Sequence, residues 1–153
     1  MWNTIFGMAN LWALLAWTVL IALPRKPVSL SALMYAGVGL LCLAYVLLVA
    51  LVLGGLVHTG GEQGAISFTS VPGVRAIFST DAGVTIGWIH YLALDLFAGL
   101  WIARDAEAKA YSRLLQAPVL LLTFMAGPAG LGVWLLVREG RARAVAGPRK
   151  RLR

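Results

Sequence analysis

The sequence predicts an all-α integral membrane protein, a bundle of four transmembrane helices with a re-entrant or interfacial segment between helices two and three. Three observations carry that expectation. Hydrophobic residues fill 60% of the 153 positions and charged residues only 12%, against about 45–50% and about 25% in soluble domains. Four apolar runs, residues 5–23, 30–57, 83–103 and 115–137, are long enough for a bilayer core, which takes roughly 20 helical residues. One long connection, residues 59–81, holds Pro72, Gly73 and Arg75 and is too interrupted to cross. Residues 1–138 are therefore expected to form a single four-helix transmembrane domain, and residues 139–153 a basic tail.

The first run, IFGMANLWALLAWTVLIAL, lacks the basic start and small-residue cleavage site of a signal peptide and reads as a retained helix. Asn3, Asn10 and Trp17 recur every seven residues and so share a face. Asn10 lies inside the span, where a hydrogen bond to a neighbouring helix contributes about 0.6–2 kcal/mol. The PRKP that follows ends the helix, since proline cannot donate and restricts its predecessor.

The second run, residues 30–57, would extend roughly 42 Å at about 1.5 Å per residue. It should tilt or project from the bilayer. It holds the lone cysteine, Cys42, which forms no intrachain disulfide, supplies too few ligands for a metal, and is expected to be a small core residue. Gly54 and Gly55 loosen its end before His58. In the connection, HTGGEQG reads as a turn, and AISFTSVPGVRAIFS as an interfacial or re-entrant piece covering one mouth of the bundle.

The fourth run, LLQAPVLLLTFMAGPAGLGVWLLV, has Gly127-Pro128 near its centre. Proline removes a backbone bond and pushes away the carbonyl four residues earlier, that of Phe124. In lipid such a carbonyl needs a protein partner or a cavity. A kink beside a pocket and a kink that merely aids packing both satisfy this.

The net charge of +7 is unevenly placed: seven of the 13 Lys and Arg lie at or after Arg138, in REGRARAVAGPRKRLR. A basic tail beside a membrane helix serves topology and anionic head groups, so membrane lipid is its expected partner. Nucleic acid is not expected, because no aromatic-rich soluble domain accompanies the tail. With four spans, the first and third loops share a side bearing Arg25, Lys26, Arg104, Lys109 and Arg113. Arg75 and the tail would lie opposite. The two counts conflict under the positive-inside rule, and the orientation expected is with both termini in the cytoplasm.

The third run, GWIHYLALDLFAGLWIARDA, carries the chemistry. Asp95 sits near its middle, where an aspartate costs about 2.5–3.5 kcal/mol on insertion scales and is a functional residue by default. Gly83, Gly87, Tyr91, Asp95 and Gly99 recur every four residues along one ridge. The glycines on it permit close helix approach. His90 lies about 140° around the helix from Asp95, at about 100° per residue, so the two are expected to line adjacent walls of one pocket. Trp88 shares the aspartate's face; Phe97, Trp101 and Arg104 share the histidine's. The bland alternatives are an interfacial hydrogen-bonded His90 and an Asp95 that only packs. Arg104 and Asp105 are expected to form an interfacial charge pair. Haem ligation by His58 and His90 is not expected, because His90 lies roughly 10 Å deeper at about 1.5 Å per residue, whereas axial ligands must match in level. No cofactor or metal is expected.

The segment PGVRAIFSTDAGVTIGWIHYLALDLFAGLWIARDA, followed by a proline-led helix with MAGPAGLGVWLL, resembles the abscisic-acid-deficient-four family. These are plant plastid membrane proteins linked to neoxanthin synthesis, with bacterial relatives. The resemblance is close over residues 70–138 and covers the first two helices in outline. Its helix-three motif, W-x-H-Y-L-x-x-D-L-F-x-G-x-W-I, is specific because it places costly residues inside a span. Leu94 stands where the family usually has phenylalanine, and Leu100 where it often has a basic residue.

What the resemblance implies is an enzyme on carotenoids, in a bacterial inner membrane: a redox-neutral isomerase that opens an epoxide, removes a vinylic proton and forms an allene. That reaction needs an acid near the epoxide oxygen and a base near the departing proton. Asp95 and His90 are the implied catalytic pair, with Tyr91 as an extra donor and Trp88, Tyr91, Trp101 and Arg104 as substrate contacts. The alternative is a non-catalytic membrane protein that binds a carotenoid or other polyene lipid, or assists a partner enzyme.

Overall fold

The structure, a computed structural model, describes residues 1–61 and 64–146, the last six as backbone only. Residues 147–153 of the expected tail lie outside the described residues. Every regular element among the described residues is a helix. Three helical runs are long and apolar enough to cross a membrane: α1 (Trp2–Ala22, 21 residues), the run Pro27–Leu53 (27 residues) and α5 (Asp81–Ala108, 28 residues). The second comprises α2 (Pro27–Ala32), a π-helical stretch (Leu33–Gly39) and α3 (Leu40–Leu53).

Local sequence explains the ends. Pro27 opens α2 at a position where its missing N–H costs nothing. Gly54 follows Leu53, and Gly55 takes φ +66°, a left-handed conformation open to glycine, so the helix stops before the expected Val57. Thr80 caps α5 by accepting from the Gly83 N–H at 3.1 Å. Among the described residues of the connection, a seven-residue helix forms, α4 (Val71–Ile77), capped by Ser70. Cys42 faces outward from α3 rather than into the core. The inward face of this run is presented instead by Leu33, Val38 and Leu41.

α5 is the axis of the molecule, and α1, α3 and the later helices pack around it. The glycine ridge works as expected where Gly99 meets α1: the Trp17 ring lies so close that a Cβ at Gly99 would overlap it. At Gly37, in the π-helical stretch, a Cβ would lie 3.2 Å from Leu96. Trp17, Leu20, Leu96, Leu100, Ile102 and Leu120 fill the core, each almost wholly buried.

The fourth apolar run departs from expectation. It is two helices, α6 (Arg113–Met125) and α7 (Gly127–Ala146), separated by Ala126 at φ −155°, ψ 78°. The contacts fix their course. Arg113 donates to the Leu23 carbonyl at the end of α1. Further along α6, Phe124 packs on Trp17 with ring centres 5.5 Å apart, and Met125 meets Tyr91, in the first half of α5. α7 then starts beside Asp95 and reaches Asp105 with Trp134 and Arg138. Asp95 to Asp105 is ten residues, or about 15 Å along the helix. So α7 runs in the direction of α5 and returns to the end where α6 began. The fourth expected span is therefore a helical hairpin whose elbow lies halfway along α5.

The hairpin also puts the start of α1 and the end of α7 at opposite ends of the bundle, where four crossings would have put them at one. Met1 lies at the end of the bundle with the residue 54–80 connection, as the Trp2 indole bond to the His58 carbonyl shows (2.8 Å). α7 leaves at the opposite end, beside the α1–α2 and α5–α6 turns. The reason is local: Ala126 breaks the α6 ladder, its carbonyl accepts from Ala129 and Gly130 to start α7, and Pro128 sits where a first-turn N–H is not needed. The expected proline kink thus becomes a reversal.

Gly130 lets the two arms touch, since a Cβ there would overlap Thr123 of α6, whereas Gly132 has nothing within 4 Å. Gly130→Ala should lower the thermal unfolding midpoint in detergent, overpacking typically costing about 1–3 kcal/mol. Gly132→Ala should leave it unchanged or raise it, by up to about 1 kcal/mol of helix propensity. Equal shifts for the two would mean that α6 and α7 do not pack this way.

Candidate functional site

The polar residues of α5 fall into three separate settings, decided by which neighbour each face meets. Trp88, Tyr91 and Asp95 lie along one side, facing α1 and the hairpin elbow. Trp88 donates its indole N–H to Asn10 Oδ1 at 2.8 Å, so Asn10 does bridge two helices. Asn10 is held for this by its own amide, which donates to the Phe6 carbonyl one turn back. The Trp88 ring stacks on Phe6 and on Tyr91, with centroids 5.7 and 5.2 Å apart. The Tyr91 hydroxyl donates to the Met125 carbonyl at 3.2 Å, one of the backbone groups left by the break after α6.

Asp95 is 7% exposed. Its carboxyl is approached by the Tyr91 hydroxyl and the Gly127 backbone N–H. Gly127 has to be glycine for this approach, because a Cβ would occupy the space of the carboxyl. Oδ2 of Asp95 has no hydrogen-bond partner among the described residues. A buried carboxylate oxygen left unpaired is costly, and it marks a place where a further polar group can be received. Trp88 (39% exposed) and Met125 (72%) lie on the outer surface on the same side of the bundle.

His90 is not part of this group. Its ring is exposed and packs against Tyr45 of α3, centroids 5.5 Å apart. The structure does not bring His90 and Asp95 into one pocket: the angular separation between them is enough to place them against different neighbours.

Trp101 and Arg104 occupy a third setting, nearer the end of α5. The Arg138 guanidinium lies 5.4 Å above the Trp101 ring, and Arg104 is exposed. Asp105 does not pair with Arg104 as expected. Its Oδ2 accepts from Arg138 Nε (2.8 Å) and Trp134 Nε1 (3.0 Å), and its Oδ1 from Arg138 Nη2 (2.9 Å) and Lys109 Nζ (2.5 Å). This forked pairing is the strong geometry for arginine and carboxylate. Two residues on, Glu107 lies 3.5 Å from Arg25 and 3.8 Å from Arg113. Gln116, fully buried, joins Arg25 to the Tyr111 carbonyl. Burial pushes the Arg25 guanidinium below its ordinary value, and Glu107 opposes that shift. These clusters tie the open ends of the hairpin to α1 and α5.

Sequence reasoning missed the elbow atoms, the Met125 carbonyl and the Gly127 N–H, as parts of the site. Backbone groups carry no residue-type signal, although Gly127-Pro128 did mark where they are freed. Asn10 was legible as a residue bonding a neighbouring helix, whereas Phe6 carried no signal.

The pattern that defines the ABA DEFICIENT 4-like family matches residues 4–134 of the chain. The protein belongs to the ABA DEFICIENT 4-like family. The matched region takes in all three long helices, the elbow and the first part of α7. No curated protein and no solved structure gives a significant match.

If Asp105 and Arg138 act as one latch on α7, Asp105→Asn and Arg138→Gln should each lower the thermal midpoint, and the double variant should fall well short of their sum. Coupling energies of contacting pairs run about 0.5–3 kcal/mol, and the partial exposure of both side chains, 13% and 23%, places this pair toward the lower part of that range. Additive losses would separate the two residues.

Proposed function

We propose that this chain is an integral membrane protein of the bacterial inner membrane that acts on carotenoids as a redox-neutral xanthophyll isomerase. In this reading α1, the Pro27–Leu53 run and α5 span the bilayer, and the α6–α7 hairpin enters from one face and turns at mid-depth. Family membership supports the carotenoid-related role. The observation that carries the rest is the buried Asp95 carboxyl, with one oxygen unpartnered and Tyr91 beside it, at the elbow.

The chemistry follows from that pairing. Opening an epoxide to an alcohol consumes a proton at the oxygen, and forming the allene releases one from a vinylic carbon, so the sum is an isomerisation with no redox partner. Tyr91 is the donor to the epoxide oxygen, and Asp95 is the base that takes the vinylic proton. With Tyr91 one turn before Asp95 on the same side of α5, the proton passes from Asp95 back to Tyr91 and the site is reset. General acid–base groups placed in this way typically contribute about 10²–10⁴-fold each. Low dielectric around the elbow strengthens every interaction with the developing alkoxide.

The apolar surroundings suit the substrate. Trp88, Phe6 and Met125 offer flat or polarisable surface to a polyene arriving through the hydrocarbon. The acid/base pair named here is Asp95 with Tyr91, and His90 drops out because its ring sits against Tyr45 on another side of α5. Trp101 and Arg104 are likewise set apart from Asp95 and carry no contact to the reacting end of the substrate.

The test is pigment analysis in a host that makes an epoxidised xanthophyll. The wild-type chain should yield a new isomer of unchanged mass. Asp95→Asn and Tyr91→Phe should each insert normally yet reduce product by about 10²–10⁴-fold, while His90→Gln keeps most of it. Unchanged carotenoid co-purifying with wild-type protein, with no isomer formed, would establish the non-catalytic binder instead. Loss in His90→Gln equal to that in Asp95→Asn would return the histidine to the reaction.

A further inference from the structure

The two ends of the bundle carry very different charge, and the hairpin is the reason. At one end are Arg25 and Lys26 in the α1–α2 turn, Arg104 and Lys109 at the close of α5, Arg113 at the start of α6, and Arg138 in α7. Helix α7 then continues outward through positions 141 and 143, both arginine. At the other end are Met1, the residue 54–80 connection and the start of α5, where Arg75 is the one Lys or Arg among the described residues. The chain has 13 Lys and Arg; eight of them fall at the first end, one at the second, and Arg149, Lys150, Arg151 and Arg153 follow α7 in sequence. Had the fourth run crossed the bundle, the tail would have been delivered to the Arg75 end and the two counts would have opposed each other.

The cations at the crowded end are not used up internally. Asp105, Glu107 and Glu139 neutralise part of the set formed by Arg138, Lys109, Arg25 and Arg113. Lys26 and Arg104 are exposed. Trp101 stands at the same level, partly exposed beneath Arg138, as an aromatic residue does at a membrane–water boundary. The exposed cations Lys26, Arg104 and Arg113 around a set of helix ends, with an indole at their level, fit one kind of partner: the phosphate head groups of an anionic leaflet.

We infer that this end of the bundle is a docking surface for an anionic lipid leaflet, and that the contact fixes the chain with its N terminus across the membrane from its C-terminal helix. The inference rests on the spanning and hairpin parts of the reading above, and is independent of the proposed isomerisation. By the positive-inside rule this end faces the cytoplasm. The elbow, and Asp95 with it, is then inserted from the cytoplasmic side.

Single cysteines placed in a Cys42→Ala background test this, since Cys42 lies on the outer face of α3. Thr69→Cys, Ser112→Cys and Gly140→Cys mark the connection, the α5–α6 turn and α7; all three positions are exposed. With a membrane-impermeant maleimide on intact cells, Thr69→Cys should label, and the other two only after permeabilisation. If Ser112→Cys and Gly140→Cys label from opposite sides, α7 crosses and the inference fails at the hairpin. If all three label on intact cells, the spanning reading itself fails; if the pattern is inverted, charge does not set the orientation. In vesicles, phosphatidylglycerol mixed with phosphatidylcholine should give a several-fold excess of one orientation, and phosphatidylcholine alone nearly equal amounts. The excess should shrink in a Lys26→Gln/Arg104→Gln variant. An excess of the same size in both lipids would overturn the anionic leaflet as the partner.

Discussion

Backbone that leaves the helical ladder in an apolar layer must have its polar groups met by protein, and the break at Ala126 meets that demand on α5. Tyr91 donates its hydroxyl to the Met125 carbonyl, and the Asp95 carboxyl lies against Gly127. Ala126 serves both helices, its N–H bonded to Leu122 at 2.7 Å and its carbonyl to Ala129 and Gly130. Each choice of residue follows from this arrangement. A reversal needs a non-helical residue followed by a proline that starts a helix without an N–H. The close approach of that turn to a carboxyl needs glycine, and the freed carbonyl needs a hydroxyl at its level. Tyr91 and Asp95, four residues apart, supply the two complementary groups on one side of α5.

The elbow stays in place because its two arms are anchored at the far end. α6 is tied by Arg113 to Leu23 and by Gln116 to Arg25 and Tyr111, and α7 by Arg138 and Trp134 to Asp105. Tyr111 closes the gap between the arms, its hydroxyl donating to the Val137 carbonyl at 2.7 Å and its ring meeting Trp134 edge-on. Between anchors and elbow the packing is apolar and tight, with Val119, Leu120 and Thr123 buried on α6. The ion pairs thus do a positional job: they set how deeply the hairpin reaches along α5, and that depth decides that Gly127 arrives at Asp95. Isolated surface pairs contribute little to stability, but a forked arginine–carboxylate contact shared with an indole specifies geometry.

What was legible in the sequence was whatever one helix could announce alone. Length and apolar content gave α1, the Pro27–Leu53 run and α5; the four-residue ridge gave the close contact at Gly99; and a lone asparagine in a span gave the bond from Asn10 to α5. The failures share a cause. A continuous apolar run around Gly127-Pro128 is equally compatible with a kinked span and with a reversal, because length cannot tell two half-depth helices from one full-depth helix. What distinguishes them is the partner set, Tyr91 and Asp95 for the elbow and Asp105 for Arg138, all on another helix and invisible to periodicity. The same blindness joined His90 to Asp95. An angle on one helix says which direction each side chain leaves, and only the positions of α3 and the hairpin say that those directions end at Tyr45 and at Gly127.

The unpartnered oxygen of Asp95 gains its meaning from this anchoring. Leaving a buried acceptor unpaired costs about 1–3 kcal/mol, a substantial share of the net stability of a small protein. Such an arrangement persists only where the surroundings over-determine it. Here they do, since the Trp17 contact at Gly99 fixes α1 against α5 one turn beyond the aspartate, and the Asp105 latch fixes α7 ten residues along the same helix. Relaxation would need the elbow to slide or α5 to rotate, and either would break the contacts at Gly99 and Asp105 together. The carboxyl is therefore held at the elbow with one oxygen that no group among the described residues meets. On the reading proposed above, an acid positioned by packing in this way needs no reorganisation when its ligand comes.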